Sequence, residues 1–437
     1  MVSLQKYRNK KIAIYGMGLT GLSTARVLKK SGVKIFCWDD NIKIRNKIRN
    51  LKFPLKKFWQ NKNTVDNIVI SPGIDINRCK IKNYLRRNPI KIITDLDLFF
   101  DINKKGLIVS VTGTNGKSTT CKIIEKILKT AKYNVSTLGN IGKPILSFNQ
   151  NKKKSVFIIE VSSYQLQYSK LFRSHHAAIL NISPDHLERH KNLKNYIKIK
   201  SKIFFAQNKS DYSYINSSNK YSKIIKKIFK KNKLKSKLIS INSPNKNFLI
   251  NNINNKYFSS KGNIENMIFA FEIAKNLKVK ESLIIKALNR FKGLPHRQEI
   301  VFSRANLLCI NDSKATSFEA CLQSLSNYQQ IYWIAGGLPK LKDQLYLKGI
   351  KKRIVKAYII GKSISFFKKQ IGKNVAISVS KNMKAAVNNI LKDIKLNKRP
   401  KKTILLSPGA ASFDQFKNFE DRGNYFKKVI KEKLKGN

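Results

Sequence analysis

Short apolar runs recur along the chain, and each leads into glycine or small polar residues. Such runs begin at residues 11, 33, 67, 107, 134, 155, 177, 307, 331, 357 and 403. Short apolar runs rich in β-branched residues predict strands that are covered on both faces. Between several of them, apolar residues recur at helical spacing, as they do just after residue 120. The alternation predicts an α/β fold with parallel sheets, whose polar strand ends share one ligand-binding edge.

The strongest chemical signal is the sequence Gly-Thr-Asn-Gly-Lys-Ser, which begins at Gly113 directly after a buried-strand pattern. Gly113 and Gly116 allow a tight turn that aims backbone N–H groups at a phosphate. Lys117 adds a charge for the β- and γ-phosphates, and the Ser118 hydroxyl suits Mg²⁺. A full P-loop pattern has a glycine where Val111 stands, so this is a shortened variant. We expect it to bind a nucleotide, because an ordinary strand–helix turn does not need Gly-Lys-Ser-Thr.

A second glycine-rich turn, Gly-x-Gly-x-x-Gly, begins at Gly16 between an apolar run and a helical segment. The next run ends at Asp39 and Asp40, the spacing of a dinucleotide-binding βαβ unit with an acid near the ribose. This motif alone is weak evidence for NAD, but it indicates a Rossmann-like unit that holds a nucleotide phosphate. Ser71 and Gly73 follow the third run, where α/β sheets bind ligands.

Two polar side chains follow later apolar runs. Glu160 ends one run, and a carboxylate there suits Mg²⁺ and the γ-phosphate. His186 follows the run at residues 177–182, and we expect it to be a ligand or polar site residue at the same sheet edge. His175 and His176 precede that run, and we expect them to be structural or on the surface.

The composition indicates a globular protein of two or three domains, with 437 residues, 42% hydrophobic and 26% charged. The formal net charge of +65 could indicate a nucleic-acid binder. However, lysines are spread over the whole chain, including residues 223–237, and no aromatic-interleaved basic repeat occurs. We therefore favour a biased codon usage as the cause, although the charge would help to attract an anionic substrate.

The cysteines indicate a reducing compartment. There are 5 of them, and none forms a Cys-x-x-Cys pair. The first eleven residues are polar and no stretch of about 18 apolar residues exists, so neither a signal peptide nor a membrane span is expected. We expect a cytoplasmic protein.

Taken together, the motifs resemble those of the Mur ligase family, nearly from end to end of the chain. They begin at Gly16, Ser71, Thr112, Gly139, Glu160, Asp185, Gly293, Asn311 and Ser407. The last, Ser-Pro-Gly-Ala-Ala-Ser-Phe-Asp-Gln-Phe-Lys-Asn-Phe-Glu-Asp-Arg-Gly, is typical of the branch that adds D-glutamate. The Asp-Asn-Pro-Arg signature of the branches that add diaminopimelate or lysine does not occur in the sequence.

This resemblance implies three α/β domains: a Rossmann-like UDP-binding domain at 1–95, a P-loop ATPase domain at 96–293 and a Rossmann-like ligase domain at 294–437. It implies an enzyme of peptidoglycan precursor synthesis that adds D-glutamate to UDP-N-acetylmuramoyl-L-alanine (UDP-MurNAc-L-Ala). ATP would phosphorylate the substrate carboxylate, and the amine of D-glutamate would attack the acyl phosphate. ATP and two Mg²⁺ ions are implied, with small-molecule substrates, no nucleic-acid or membrane partner, and a monomeric state.

The resemblance also implies site residues. Those for ATP are Gly113, Thr114, Asn115, Gly116, Lys117, Ser118, Thr119, Asn263, Asn266, Arg297, Asp312 and Lys314. Those for the UDP-substrate are Leu19, Thr20, Asp39, Asp40, Ser71, Gly73, Asn140 and Ser162. Those for D-glutamate are Thr316, Lys340, Ser412 and Phe419. The implied catalytic residues are Lys117, Glu160, His186 and Lys200, and Mg²⁺ ligands would come from Ser118, Glu160, His186 and a carbamylated Lys200.

The lysine assignment has alternatives, because residues 196–204 are crowded with lysines. Lys198 or Lys202 could take the place of Lys200, and the segment could also be a solvated basic helix face. Two departures from the family pattern concern other segments. Ser260 and Gly262 replace the usual glycine and histidine near the adenine, and Leu338-Pro339 stands inside the usual Gly-Gly-x-x-Lys segment.

Two other classes of function are compatible with part of the sequence. An NAD-dependent oxidoreductase would explain the first glycine motif but not Lys117, Glu160 or the C-terminal segment. A nucleic-acid-binding protein would explain the charge and would bind DNA with steep salt dependence. Within the wider superfamily, folylpolyglutamate synthetase shares the P-loop but lacks the Rossmann-like first domain.

Overall fold

A computed structural model describes most of the chain. The described residues are 4–60, 65–103, 106–140, 143–147, 155–241, 244–304, 306–340, 343–347, 349–372, 375–396 and 401–434. They form two compact units. The first comprises residues 1–259 and 263–291, and the second comprises residues 260–262 and 292–437.

The first unit begins with a parallel four-stranded sheet in the order β2-β1-β3-β4. Its strands are β1 (Lys11–Tyr15), β2 (Lys34–Trp38), β3 (Asn67–Ile70) and β4 (Ile92–Ile93). The helices are α1 (Leu19–Lys30), α2 (Ile42–Asn50), α3 (Lys82–Arg87) and α4 (Asp95–Ile102). The first three strands are buried almost throughout, as their apolar runs predict.

The first unit also contains a parallel six-stranded sheet in the order β10-β9-β8-β5-β7-β6. Its strands are β5 (Leu107–Thr112), β6 (Asn134–Gly139), β7 (Ser155–Glu160), β8 (His176–Ile179), β9 (Tyr212–Asn216) and β10 (Lys237–Ile241). Its helices are α5 (Lys117–Thr130), α6 (Ser163–Tyr168), α7 (Leu187–His190), α8 (Leu193–Ser201), α9 (Ser222–Lys231), α10 (Pro244–Asn252), α11 (Lys261–Asn276) and α12 (Glu281–Asn289). Strands β7 and β8 flank β5, so their carboxyl ends all lie beside the P-loop.

The second unit contains a six-stranded sheet in the order β11-β12-β16-β13-β14-β15. Its strands are β11 (Glu299–Arg304), β12 (Leu307–Asn311), β13 (Ile331–Gly336), β14 (Ile354–Ile360), β15 (Ala376–Lys381) and β16 (Lys402–Leu406). Its helices are α13 (Phe318–Asn327), α14 (Ile364–Ile371), α15 (Met383–Leu396) and α16 (Phe419–Leu434). Apolar cores cover both faces of this sheet, one under α13 and α14 and the other under α15 and α16.

The predicted fold class, with three α/β sheets, is confirmed. Two details differ from the sequence prediction. Strand β11 pairs with β12 in the antiparallel direction, so the third sheet is mixed and not wholly parallel. The second difference is a strand boundary, since His176 lies within β8 and not before it. It is buried and contacts the Tyr214 hydroxyl at 2.9 Å, which agrees with the structural role expected for it. The division into domains at residues 95 and 293 stays a prediction.

Within the described part of the chain, no helix combines the length and the apolar character needed to cross a membrane.

Helix α4 carries two buried carboxylates that differ in their hydrogen bonding. Asp97 caps its own helix and also accepts hydrogen bonds from Ser169 and from the backbone N–H groups of residues 170–172. Asp95 is 1% exposed, and its Oδ1 atom has no hydrogen-bond partner among the described residues. Burial, with the neighbouring charge of Asp97 as the second cause, raises the pKa of Asp95 to about 7.

We expect Asp95→Asn to stabilise the protein more at pH 8 than at pH 5. An Asp whose folded-state pKa is raised from 3.8 to about 7 keeps its proton longer in the folded state than in the unfolded state. Its contribution to the free energy of unfolding therefore falls by about 1.4 kcal/mol for each pH unit across that window. Urea unfolding of both proteins at the two pH values measures the difference. Asp97→Asn is the control and should destabilise the protein at both pH values. An equal effect of Asp95→Asn at pH 5 and at pH 8 would contradict a raised pKa of Asp95.

Candidate active site

The P-loop joins β5 to α5 by a turn that requires glycine. Gly116 precedes the helix with φ of 82°, and an added Cβ there would lie 2.2 Å from Asn266 Oδ1. Glycine therefore permits both the left-handed backbone and the close approach of α11. The 14-residue helix directs its N-terminal end, with its partial positive charge, toward the loop. This arrangement suits a phosphate group.

The polar end of β8 holds the loop in place. The backbone N–H of Asn115 donates to Asn181 Oδ1 at 2.8 Å, and that of Thr114 donates to the Asn181 carbonyl at 3.0 Å. The Thr114 hydroxyl accepts from the Ser183 N–H at 3.0 Å and contacts the Tyr196 hydroxyl at 3.3 Å. These hydrogen bonds hold the loop in its conformation.

Lys117 folds back over the loop. Its Nζ atom donates to the carbonyl oxygens of Gly113 at 2.9 Å and Thr114 at 2.7 Å. These hydrogen bonds place the positive charge of the side chain beside the turn, where it suits a phosphate group. Thr119, the last residue of the predicted motif, is buried in the first turn of α5.

Ser118, in the first turn of α5, contacts Glu160 at the carboxyl end of β7. The Ser118 hydroxyl donates to Glu160 Oε2 at 2.6 Å, and the Asn140 amide donates to Oε1 at 3.2 Å. A Cβ at Gly139 would lie 2.3 Å from the Glu160 carbonyl oxygen, so only glycine fits beside this strand end. Gly142, the last glycine of the motif that begins at Gly139, lies outside the described residues.

The donor set of this pair fits Mg²⁺, which prefers oxygen and is commonly held by one or two protein groups plus substrate phosphates. Among the described residues, no cluster of three or more His, Cys, Asp or Glu could hold a metal by itself. The site therefore fits an ion that is shared with a bound phosphate, and not one enclosed by protein alone.

Lys200 is the lysine of α8 that reaches the P-loop. Its side chain is 2% exposed, and Nζ donates to the Gly113 carbonyl at 2.9 Å and contacts Thr112 Oγ1 at 3.3 Å. Burial, followed by the charge of Lys117, holds the pKa of Lys200 well below its usual value, while Asp185 and Glu160 act in the opposite direction. Burial thus disfavours the charged form of this amine.

The two alternative lysines are differently placed. Lys198 is exposed, and Lys202 donates to the Gln167 carbonyl at 2.9 Å. Burial lowers the pKa of Lys202 to about 8. Of the three, the structure places Lys200 on the P-loop.

His186 directly precedes α7, and its backbone is in the left-handed region with φ of 54°. Its Nδ1 atom contacts the Tyr164 hydroxyl at 3.0 Å, and its Nε2 atom lies 3.3 Å from Asp185 Oδ2. The imidazole is partly exposed and is oriented by these neighbours. His186 follows β8, which pairs in parallel with β5, so it lies at the same end of the sheet as the P-loop.

The two asparagines predicted to contact adenine lie on α11. Asn266 is buried, accepts from the Thr120 hydroxyl at 3.2 Å and packs against Gly116. Asn263 donates to the Tyr257 carbonyl at 2.9 Å. Asn266 thus stabilises the P-loop directly, whereas Asn263 fixes the segment that precedes α11.

Hydrogen bonds to the side chains of Asp39 and Ser71 close the N-terminal glycine turn. Asp39 accepts from the Met17 N–H at 2.7 Å, and the Ser71 hydroxyl donates to the Gly16 carbonyl at 2.5 Å. Asp40 accepts from the Tyr15 hydroxyl at 2.6 Å, but its Oδ1 atom is buried and has no partner among the described residues. Asp39 therefore holds the turn, and Asp40 has an acceptor to offer to a ligand.

The other residues predicted for the UDP-substrate have varied surroundings. Leu19 is 80% exposed at the start of α1, and Thr20 is partly exposed beside it. Gly73 is exposed after β3. Ser162 caps α6, because its side chain accepts a hydrogen bond from the Gln165 N–H. This side chain therefore stabilises the helix.

In the second unit, Asp312 is buried in a network of hydroxyl groups. It accepts from the Gln298 N–H at 3.2 Å, from the Ser407 hydroxyl at 3.2 Å and from the Ser324 hydroxyl. Burial raises the pKa of Asp312 to about 6, and the nearby charge of Arg297 acts in the opposite direction. Its carboxylate therefore organises the end of β12.

Lys314 and Phe419 lie together. The Lys314 ammonium stands 3.8 Å from the centre of the Phe419 ring, which is a cation–π contact. The Ser313 hydroxyl donates to the Phe419 carbonyl at 2.8 Å. The loop after β12 is thus tied to the start of α16.

The loop that contains Leu338-Pro339 pairs with the segment after β16. Leu338 and Ala411 exchange backbone hydrogen bonds of 2.8 and 2.9 Å. This bridge places the exposed Lys340 and the buried Ser412 on paired segments. Thr316 is partly exposed just before α13.

Sequence reasoning assigned no role to several residues that build these sites. Arg422 is 1% exposed and donates to Ser313, to the Ala410 carbonyl and to the Gly336 carbonyl, so it joins the three loops at this sheet edge. It stands in the Asp-Arg-Gly at the end of the C-terminal motif, which was the available signal. The roles of Asn181 and Tyr196 in holding the P-loop are visible only in three dimensions.

Comparison with known proteins places this fold and site in a class. The family model of the Mur ligase middle domain matches residues 111–284, and that of the Mur ligase MurD-like N-terminal domain matches residues 10–94. The chain belongs to the Mur ligase family, a class defined here by a P-loop unit among three α/β sheets.

Two curated relatives that resemble the chain over nearly its full length carry the same name. A protein of Rickettsia felis named UDP-N-acetylmuramoylalanine--D-glutamate ligase is 34% identical over 98% of this chain and 98% of its own length. A protein of the same name from a Wolbachia of Brugia malayi is 33% identical over 99% of this chain and 98% of its own.

Solved structures support the fold. The MurF ligase of Thermotoga maritima in complex with ADP aligns with a TM-score of 0.55 and 13% identity, covering 99% of this chain and 98% of that one. The UDP-N-acetylmuramate-alanine ligase MurC of the same organism gives a TM-score of 0.52 and 15% identity, with 98% and 100% coverage.

Proposed function

We propose that this protein catalyses the ATP-dependent addition of D-glutamate to UDP-MurNAc-L-Ala, in peptidoglycan precursor synthesis. The observation that carries the proposal is the cluster at the end of β5, where Lys117, the Ser118–Glu160 pair and the buried Lys200 meet around an anion-binding turn. The name of the near-full-length relatives supports the choice of D-glutamate.

The chemistry needs two steps, because a carboxylate is a poor electrophile. First, the carboxylate of UDP-MurNAc-L-Ala attacks the γ-phosphorus of ATP, which forms an acyl phosphate and releases ADP. Second, the amine of D-glutamate attacks the acyl carbon, the carbon–oxygen bond to phosphate breaks, and the amine loses a proton. An amide and inorganic phosphate result.

The protein assists the first step mainly by charge and position. Lys117 and the N-terminal end of α5 lie where charge develops on the transferred phosphoryl group. ATP is further proposed to contact Asn263, Asn266, Arg297, Asp312 and Lys314. Fixed charges of this kind need no reorganisation at the moment of reaction.

Ser118 and Glu160 would hold one Mg²⁺, and His186 with Lys200 a second. When bound, Mg²⁺ offsets negative charge on the phosphates. A neutral, buried Lys200 can attack CO₂ through its nitrogen and lose a proton, which gives a carbamate anion. That anion offers oxygen donors where an ammonium would repel a cation.

The remaining substrate groups are proposed to bind at the other sheet edges. Asp40, whose Oδ1 atom has no partner in the described structure, suits an N–H donor such as that of uracil, with Leu19, Thr20, Asp39, Ser71, Gly73, Asn140 and Ser162 as the other UDP-substrate residues. D-Glutamate is proposed to bind Thr316, Lys340, Ser412 and Phe419, because a dicarboxylate requires a cation and hydroxyl donors.

We further infer a cytoplasmic monomer that acts on small molecules, without a nucleic-acid or membrane partner. The described cysteines, all unpaired, are consistent with a reducing compartment.

Phosphate release with ATP and UDP-MurNAc-L-Ala tests the substrate assignment. We expect turnover with D-glutamate, and less than about a hundredth of that rate with L-glutamate or diaminopimelate, since a site built for one set of polar contacts rejects the mismatched isomer. Lys340→Met should raise KM for D-glutamate, with Lys356→Met, on β14, as the control. Equal turnover with diaminopimelate would place the protein in another branch of the family.

A further inference from the structure

A groove between α8 and α9 has no role in the proposed reaction. It has a volume of about 490 Å³ and lies in the first unit. Leu193 and Ile197 of α8 and Ile224 and Ile228 of α9 form its walls. Ile224 is 37% exposed, so part of this apolar surface meets water. None of these four residues belongs to the candidate active site.

Three lysines stand around the apolar walls. Lys194 of α8 and Lys227 and Lys231 of α9 line the groove, and their side chains are exposed. Lys227 and Lys231 are four residues apart, so they lie on the same face of the helix. None of the three forms an ion pair with a described residue.

The sequence around the groove has almost no negative charge to balance these lysines. Between Glu188 and Glu265 the only acidic residue is Asp211. Its carboxylate is already held by Arg173, with two hydrogen bonds of 2.7 and 3.0 Å. The positive rim is thus available to an anion from outside the chain.

We propose that this groove binds a single-chain anionic amphiphile, namely an alkyl carboxylate of the fatty-acid class. The volume lies within the range of about 300–1,000 Å³ that is usual for small-molecule sites. The apolar walls match an alkyl chain, and the lysine rim matches a carboxylate. A nucleic acid would use the lysines but leave the apolar walls without a partner, and the concave shape suits an inserted chain better than a flat lipid surface.

Two features of the ligand should govern affinity. Each CH₂ that leaves water should strengthen binding several-fold, so hexanoate should bind at least about tenfold more weakly than decanoate. Decanol, which has the chain without the charge, should also bind more weakly than decanoate.

Isothermal titration calorimetry of the full chain with decanoate, below the concentration at which it forms micelles, tests the proposal. The triple variant Lys194→Gln/Lys227→Gln/Lys231→Gln should bind about tenfold more weakly than wild type. The matched control, Lys223→Gln/Lys226→Gln/Lys230→Gln, removes the same charge from exposed positions that do not line the groove, and it should bind like wild type.

A second pair of variants tests the walls. Ile224→Ser should weaken decanoate binding, whereas Ile250→Ser, at an exposed position on α10, should not. Equal losses in the two lysine variants would overturn the proposal, since diffuse charge would then explain the binding. No binding of decanoate, or binding only to vesicles of anionic phospholipid, would also overturn it.

Discussion

Replacing Lys117 by alanine should lower the rate of D-glutamate-dependent phosphate release by about a hundred- to a thousandfold. The side chain lies over the P-loop, and its Nζ atom donates to the carbonyls of Gly113 and Thr114, which places its charge beside the turn proposed to hold the transferred phosphoryl group. Removing one preorganised group that stabilises transition-state charge has an effect of this size. Turnover at saturating ATP, with circular dichroism as a check of the fold, measures it.

Lys129→Ala is the matched control for this variant. Lys129 lies at the other end of the same helix, where it is exposed and pairs with Glu125 at 2.5 Å. The lysine of this pair is exposed and lies away from the P-loop, so activity should stay near that of wild type. If Lys117→Ala retained activity within tenfold of wild type, the proposed role of Lys117 would be wrong.

Replacing Lys200 by alanine or by methionine should reduce turnover by about a hundredfold. Methionine keeps most of the buried volume, so a loss in both variants would report the amine and not the packing. Acetate or bicarbonate should restore part of the activity of Lys200→Ala, which has room for a small anion, but not that of Lys200→Met. Turnover with and without added carboxylate measures both effects.

Lys198→Ala and Lys202→Ala separate this role from that of the neighbouring lysines. Lys198 is exposed, and Lys202 contacts the Gln167 carbonyl, so neither contacts the P-loop in the described structure. Both variants should keep activity within a few-fold of wild type. Loss at one of them with Lys200→Ala unaffected would move the carbamate to that lysine, and no loss at any of the three would remove it from the mechanism.

The sequence was sufficient for those parts of the fold that depend on local pattern. The P-loop needs positive φ at Gly116 and a charge beside it, and both are encoded within a few residues. The buried strands β5, β7 and β8 appear as apolar runs because both faces of the central sheet are covered. The antiparallel β11 was missed because its residues alternate only weakly and lie at a sheet edge.

Choices between neighbouring residues depended on tertiary structure. Three lysines follow one another closely in and after α8, and only the packing of the helix against β5 shows that Lys200 is the buried one. The sequence does not distinguish Asp39 from Asp40. In the structure, Asp39 closes the glycine turn, whereas Asp40 keeps an acceptor atom, Oδ1, without a partner among the described residues. Arg422 was not assigned a role because its partners are loops distant in sequence.

In the proposed reaction, the carboxylate of UDP-MurNAc-L-Ala is activated as an acyl phosphate before D-glutamate attacks it. Substrate labelled with ¹⁸O in that carboxylate tests this order of steps, with the released phosphate analysed by mass spectrometry. We expect each molecule of phosphate to carry one oxygen from the carboxylate, and the ligated product to keep the other. Phosphate without the label, released while the D-glutamate adduct accumulates, would contradict it.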